Sequence, residues 1–227
     1  MARPGQAAAK TAKSGDLRAS RPYPIGRSSK RAVDLLIATS ALVLLSPLLL
    51  IVAIIVKLAD GGPVFYSHTR VGLGGVAFGC LKFRTMKTDT SAQLANLLQA
   101  NRAARIEWEA TRKLKNDPRV TVVGEILRKS SIDELPQLIN IVRGEMSVVG
   151  PRPITAEELP LYGEYISTYM AGRPGLTGAW QTSGRNDVSY QRRVSLDVQY
   201  LHNWSLARDF VIMAKTIPVL FSHRGSY

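Results

Sequence analysis

Apolar and polar positions are unevenly spread along the chain, and the sharpest contrast comes early. Positions 35–56 read LLIATSALVLLSPLLLIVAIIV, 22 residues without a charge. A run of that length crosses a bilayer as a helix. It is too long for the apolar part of a signal peptide, and no small-residue cleavage site follows it. Ser46-Pro47 falls near its middle. Proline offers no N–H to the carbonyl of Val43 and its ring crowds that carbonyl, so a kink is expected, with the Ser46 hydroxyl replacing part of the lost hydrogen bonding. Each arm reaches only about half the hydrocarbon thickness at roughly 1.5 Å per residue.

Later patterns are shorter. Two β-rich runs, 64–71 and 76–83, flank the glycine-rich positions 72–75 and predict a hairpin. No GK[ST] follows those glycines, so a turn is the simpler reading than a phosphate loop. Leu94, Leu97, Leu98, Ala104, Ile106 and Trp108 recur at loosely helical spacing and predict one polar helix over 91–115, ended by 117–119. Two short helices are expected on either side of 130–133, the second over 134–142 with Gly144 closing it. Loops follow at 151–153, 173–178 and 184–187, then helices across 190–221 with Trp204 and Leu206 on a buried or interfacial face. There is no internal repeat.

Charge changes this picture in two ways. Lysine and arginine outnumber acids 30 to 17, for a net charge of +13 and a pI near 10.2. An anionic partner follows: nucleic acid, a phosphorylated ligand or an acidic lipid surface. The charge-free apolar run argues against a soluble nucleic-acid binder. Second, both flanks of that run are basic. Residues 1–31 carry eight basic residues against Asp16 alone, and Lys57, Arg70, Lys82, Arg84 and Lys87 follow on the other side. The positive-inside rule places both flanks in the cytoplasm, which a helix that enters and returns at Ser46-Pro47 satisfies and a single span does not. The expected fold is α+β and mostly α: a re-entrant membrane helix with a Ser-Pro break, a small β-hairpin, and surface-associated helices forming one monotopic catalytic domain. Its divisions are a disordered basic tail (1–29), the re-entrant helix (30–58) and a cytoplasmic, membrane-associated domain (59–227). The lone Cys80 excludes an internal disulfide and a cysteine-based zinc site.

Asp133-Glu134 is the most informative pair. Adjacent carboxylates point apart within a helix but can share a target at its entrance. With Asp133 as N-cap, Pro136 falls at the third helical position, where its missing N–H costs nothing, and the positive helix end keeps Asp133 ionised. An ionised carboxylate is a competent nucleophile toward phosphorus. Ser131 and Glu134 also fit a capping box, a purely structural role. Lys82, Arg84, Arg128, Lys129, Arg143 and Arg152 surround the pair in sequence, and arginine's planar fork suits phosphate oxygens. Paired carboxylates with arginines also suit a Mg²⁺–diphosphate site.

The blocks KRAVDLLIA, LLSPLLL, YSHTRVG, LKFRTMK, DPRVTVVGEILRKSSIDELPQLINIVRGEMSVVGPRP, RPGLTGAWQTSGRND and LDVQYLHNWSLARDFVIMAKTIP cover nearly everything from Lys30 onward. In these blocks the chain resembles the bacterial monotopic phosphoglycosyl transferases, which load sugar-1-phosphate onto a polyprenyl phosphate. The resemblance implies Asp133 as the nucleophile toward a UDP-sugar, Glu134 helping to hold Mg²⁺, and undecaprenyl phosphate as acceptor. It also implies Ser46 and Pro47 as the helix break and Arg152 as a phosphate contact. Lys82, Arg84 and Arg128 fall near the site; Arg173 and Arg185, with Asn186 and Asp187, would shape the nucleotide or acceptor pocket. Within the family the short architecture looks most like the galactose-1-phosphate transferases of exopolysaccharide production, with glucose the main competitor. One departure is Ala179-Trp180, where many members carry Trp-Ala. The location implied is the cytoplasmic face of a bacterial inner membrane, beside inner-leaflet phospholipids. A homodimer and other polysaccharide-assembly proteins are candidate partners.

Overall fold

The computed structural model describes residues 25–88, 90–111, 114, 117–183 and 188–221. The basic tail up to residue 24, and Arg185, Asn186 and Asp187, lie outside the described residues.

A 34-residue helix, α1 (Arg27–Asp60), contains the whole apolar run and is long and apolar enough to cross a membrane. It begins after Gly26 and ends at Gly61, both left-handed, with the Gly61 N–H donating to the Lys57 carbonyl. Pro47 lies inside α1, and no element boundary falls at Ser46-Pro47. The carbonyl that Pro47 cannot serve, Val43, accepts a 2.8 Å hydrogen bond from the Ser46 hydroxyl, the compensation expected there.

Both halves of α1 pack against the rest of the chain. Ile37, Ala38, Ala41 and Leu42 join the main core with Leu138, Ile141, Met146 and Tyr200. Leu49, Val52, Ala53 and Val56 join a second cluster with Phe83 and Leu127. Between them Val43 and Leu44 stand 76% and 79% exposed. One helix thus touches the same domain at both ends and leaves its Ser-Pro middle free.

The hairpin consists of β1 (Phe65–Val71) and β2 (Ala77–Phe83), antiparallel with Phe65 opposite Phe83. The single helix expected over 91–115 is instead α2 (Ser91–Ala100) and α3 (Arg102–Thr111). Asn101 separates them in an extended conformation, and its side-chain oxygen accepts from the Ala104 N–H. An asparagine that caps the next helix competes with continuing the previous one.

Next come α4 (Val122–Lys129), a 3₁₀ turn (Ile132–Glu134) and α5 (Gln137–Arg143), closed by Gly144 at φ 87°. A parallel pair, β3 (Ser147–Val149) and β4 (Gly175–Thr177), is bridged by a 3₁₀ segment (Ala156–Tyr165) and α6 (Ile166–Met170). Helices α7 (Tyr190–His202) and α8 (Leu206–Phe221) complete the described chain.

Candidate active site

The expectation that Asp133 caps a helix is corrected by the structure. Asp133 lies inside the 3₁₀ turn, while Pro136 takes the N-cap position of α5. Two turns of sequence explain this. Ser130 bonds its hydroxyl back to the Ile126 carbonyl and ends α4, and Ser131 turns the chain through a left-handed conformation at φ 57°. A non-glycine residue held there costs about 1 kcal/mol or more and is tolerated where packing enforces it. Packing does so here: Ile132 sits on the cluster of Phe83 and Leu127, and Leu138 and Ile141 anchor α5 in the main core. Ser131 makes no side-chain cap bond, so the capping-box role is not realised.

Lys82 comes from β2. Its strand is fixed to α5 by Asn140, fully buried, whose side-chain oxygen accepts from the Leu81 N–H at 3.0 Å and whose amide donates to the Gly79 carbonyl at 2.8 Å. That clamp sets Lys82 against the 3₁₀ turn: its ammonium lies 2.6 Å from Glu134 and 3.8 Å from Asp133. Arg128 of α4 donates through Nε to the Thr85 hydroxyl at 2.9 Å, and its charge also acts on Asp133.

Asp133 is 8% exposed. Burial pushes its carboxyl up to about 6; Lys82 opposes, Glu134 adds to the rise, and Arg128 opposes. At pH 7 about ten are ionised for each one protonated. The ionised carboxylate expected at a helix end thus sits closer to its protonated form than a helix end would leave it. Burial pulls Lys82 down, but Glu134 and Asp133 outweigh it and hold the ammonium above its ordinary value.

A divalent cation of the magnesium kind would find two adjacent carboxylates here, Asp133 and Glu134. One cation, the Lys82 ammonium, already bridges both carboxylates. No group of three or more potential ligands occurs among the described residues, so such an ion would need oxygens from substrate and water, the usual habit of Mg²⁺ at phosphates.

The other residues singled out from sequence separate. Arg84 pairs with Asp60 at the end of α1. Arg173 donates through Nε to the Gly144 carbonyl at 2.8 Å, sealing the end of α5. Arg152 follows β3, with its guanidinium 5.2 Å from the Trp180 ring. The structure therefore gathers Asp133, Glu134, Lys82 and Arg128, and sets Arg152 in a different group. Sequence reading did not single out Thr85, Asn140, Arg193 or Asp197. Asn140 left a faint signal, a polar residue in the apolar run LINIV; Thr85 left none.

A family model described as bacterial sugar transferase matches residues 25–223. An exopolysaccharide production protein ExoY of Sinorhizobium fredii is 57% identical over 90% of both chains. The undecaprenyl-phosphate galactose phosphotransferase of Salmonella typhimurium is 46% identical over 88% of this chain and 42% of its own. A UDP-glucose:undecaprenyl-phosphate glucose-1-phosphate transferase of Caulobacter vibrioides is 41% identical over 87% of this chain and 72% of its own. With a membrane-length helix, a poised carboxylate among cations and a family match across nearly its whole length, the chain belongs to the bacterial sugar transferases.

Proposed function

We propose that the protein transfers hexose 1-phosphate, foremost galactose 1-phosphate, from a UDP-sugar to undecaprenyl phosphate during exopolysaccharide synthesis, through a phosphosugar ester on Asp133. The observation that carries this reading is the buried Asp133 carboxylate with the Lys82 ammonium 3.8 Å away, itself held by Glu134 at 2.6 Å. In the first step an Asp133 oxygen attacks the phosphorus that bears the sugar. The bond from that phosphorus to the bridging oxygen breaks, and UMP leaves with the electron pair. In the second, an oxygen of the carrier phosphate attacks the same phosphorus, and the Asp133 carboxylate departs unchanged.

The chain's own residues supply position and charge, which dominate catalysis of phosphoryl transfer. Lys82, kept cationic by Glu134, faces the phosphoryl oxygens. Arg128, steadied by Thr85, adds a second positive charge beside Asp133. Asp133 and Glu134 would hold a magnesium ion, which neutralises diphosphate charge when bound.

Membrane attachment follows the same logic. Both halves of α1 pack on one domain, which supports a helix that enters and returns on the cytoplasmic side; a straight passage would carry one end about 30 Å away. The nucleotide sugar and the carrier phosphate then meet on one side, with a cationic surface favouring anionic lipid. Cysteines introduced as Ser14→Cys and Ser222→Cys should both label from the cytoplasm; labelling from opposite sides would overturn the re-entrant path.

The donor is tested by UMP release across a panel of UDP-hexoses with undecaprenyl phosphate present. UDP-galactose should give the highest turnover and Asp133→Asn should abolish it. A preference for UDP-glucose would overturn the donor, and normal turnover by Asp133→Asn would overturn the nucleophile.

A further inference from the structure

A second polar group lies where the two parallel strands end. Arg152 follows β3 by three residues and Trp180 follows β4 by three. The loops lie against each other: Gly150 N–H donates to the Thr177 carbonyl, and a Cβ at Gly178 would collide with the Gly150 oxygen. The crevice beyond the carboxyl ends of parallel strands is a common place for ligands. From α7, Arg193 and Asp197 enter the same region on one helix face, four residues apart.

Two guanidiniums share one indole. Arg152 lies 5.2 Å and Arg193 5.0 Å from the centre of the Trp180 ring. A carboxylate that acts on both guanidiniums, Asp197, is 1% exposed and partly committed: one oxygen accepts from the Tyr162 hydroxyl at 2.8 Å and the Arg152 backbone N–H at 3.3 Å. Trp180 is 8% exposed. Buried polar atoms in native proteins are nearly always paired. Yet Trp180 Nε1, Arg193 Nε, Gln181 Oε1 and Asp197 Oδ1 are all buried without a hydrogen-bond partner. Burial, then the neighbouring Arg152, disfavour the charge on Arg193 and outweigh the support of Tyr190, Glu158 and Asp197.

We propose that Arg152, Arg193 and Trp180 form a binding subsite for a phosphate whose ligand also carries hydroxyls. Phosphate oxygens would take the Trp180 Nε1–H and Arg193 Nε–H, while ligand hydroxyls would donate to Gln181 Oε1 and Asp197 Oδ1. A nucleotide sugar has both kinds of group; a polyprenyl phosphate has no hydroxyls on its chain. The inference rests on the proposed transfer and adds to it Arg193 and Trp180 as donor-binding residues.

The test is steady-state UMP release by wild type, Arg193→Gln, Arg193→Lys and Trp180→Phe, varying UDP-hexose and polyprenyl phosphate in turn. Arg193→Gln should raise the KM for the UDP-hexose roughly 10- to 100-fold, the scale of a charge-assisted hydrogen bond. The carrier's KM and kcat should move by no more than about threefold. Arg193→Lys should recover only part of the loss, because an ammonium cannot fork. Trp180→Phe keeps the ring and loses only the N–H; it should raise the same KM several-fold, and it decides the matter if Arg193→Gln fails to fold. A rise in the carrier's KM instead, or unchanged KM values for both substrates, would overturn the subsite. A wild type that releases no UMP from any UDP-hexose would instead overturn the transfer reading itself.

Discussion

Two groups of buried charge face different tasks. At the foot of α1, Asp209 accepts from Lys30 at 2.7 Å, Trp204 at 3.0 Å and Tyr200 at 2.7 Å, while Asp34 accepts from the Ser147 hydroxyl and the Val148 N–H, each at 2.9 Å. Lys30 and Asp34 tie α1 to the domain, and Trp204 and Tyr200 complete the donor set around Asp209. Asp133 is buried to a similar degree, but Lys82 stands 3.8 Å away, beyond hydrogen-bond range. A carboxylate ringed by side-chain donors is an anchor; Asp133 has its own backbone N–H and a more distant ammonium, and is freer to attack. The difference lies in how many donors reach it, not in how deeply it lies.

That contrast can be broken from either side. The largest effect is expected from Lys30→Ala, which strands Asp209 in the interior and should cost about 3–5 kcal/mol. Thermal unfolding in detergent would register it, and a loss below about 1 kcal/mol would mean the anchor is ornamental. Lys82→Met should lower kcat by roughly 10²–10³. It should also move the acid limb of the rate profile to higher pH, because Asp133 loses its strongest opposing charge. Asp133→Asn should stabilise the fold at pH 7 by about 1–3 kcal/mol, since the folded state raises this carboxyl from 3.8 to about 6 and so disfavours its charged form. The sign follows from proton uptake: between those values the folded chain binds the proton more readily than the unfolded one. The wild type's deficit is therefore full above pH 6 and should close as the pH falls toward 4. A variant less stable than wild type at pH 7 would contradict the poised carboxylate. The smallest effect is on rate, with kcat/KM falling about tenfold per unit below pH 6.

The same contrast shows what the chain's order could reveal. Features with local causes were legible: the apolar helix, the hydroxyl repair beside Pro47, the hairpin strands, and Gly144 at the end of α5. The carboxylate pair was legible because its members are adjacent. Its setting was not. Ser131's left-handed turn displaced Asp133 from the helix end, and no local pattern announces that geometry. Asn101 split a helix whose apolar spacing ran on unbroken. Arginines looked alike in sequence but have distinct employments: Arg84 on Asp60, Arg173 on a carbonyl, Arg152 on an indole. Lys30 meets Asp209 across 179 positions, a pairing only the folded chain reveals.

Intact mass spectrometry of the purified protein mixed with UDP-galactose in the absence of carrier reads the ester on Asp133 without an intermediary. One added hexose phosphate is expected, mapped to the peptide containing Asp133 and removed on adding undecaprenyl phosphate. An unmodified protein that still releases UMP when carrier is supplied, or an adduct on a different residue, would contradict it.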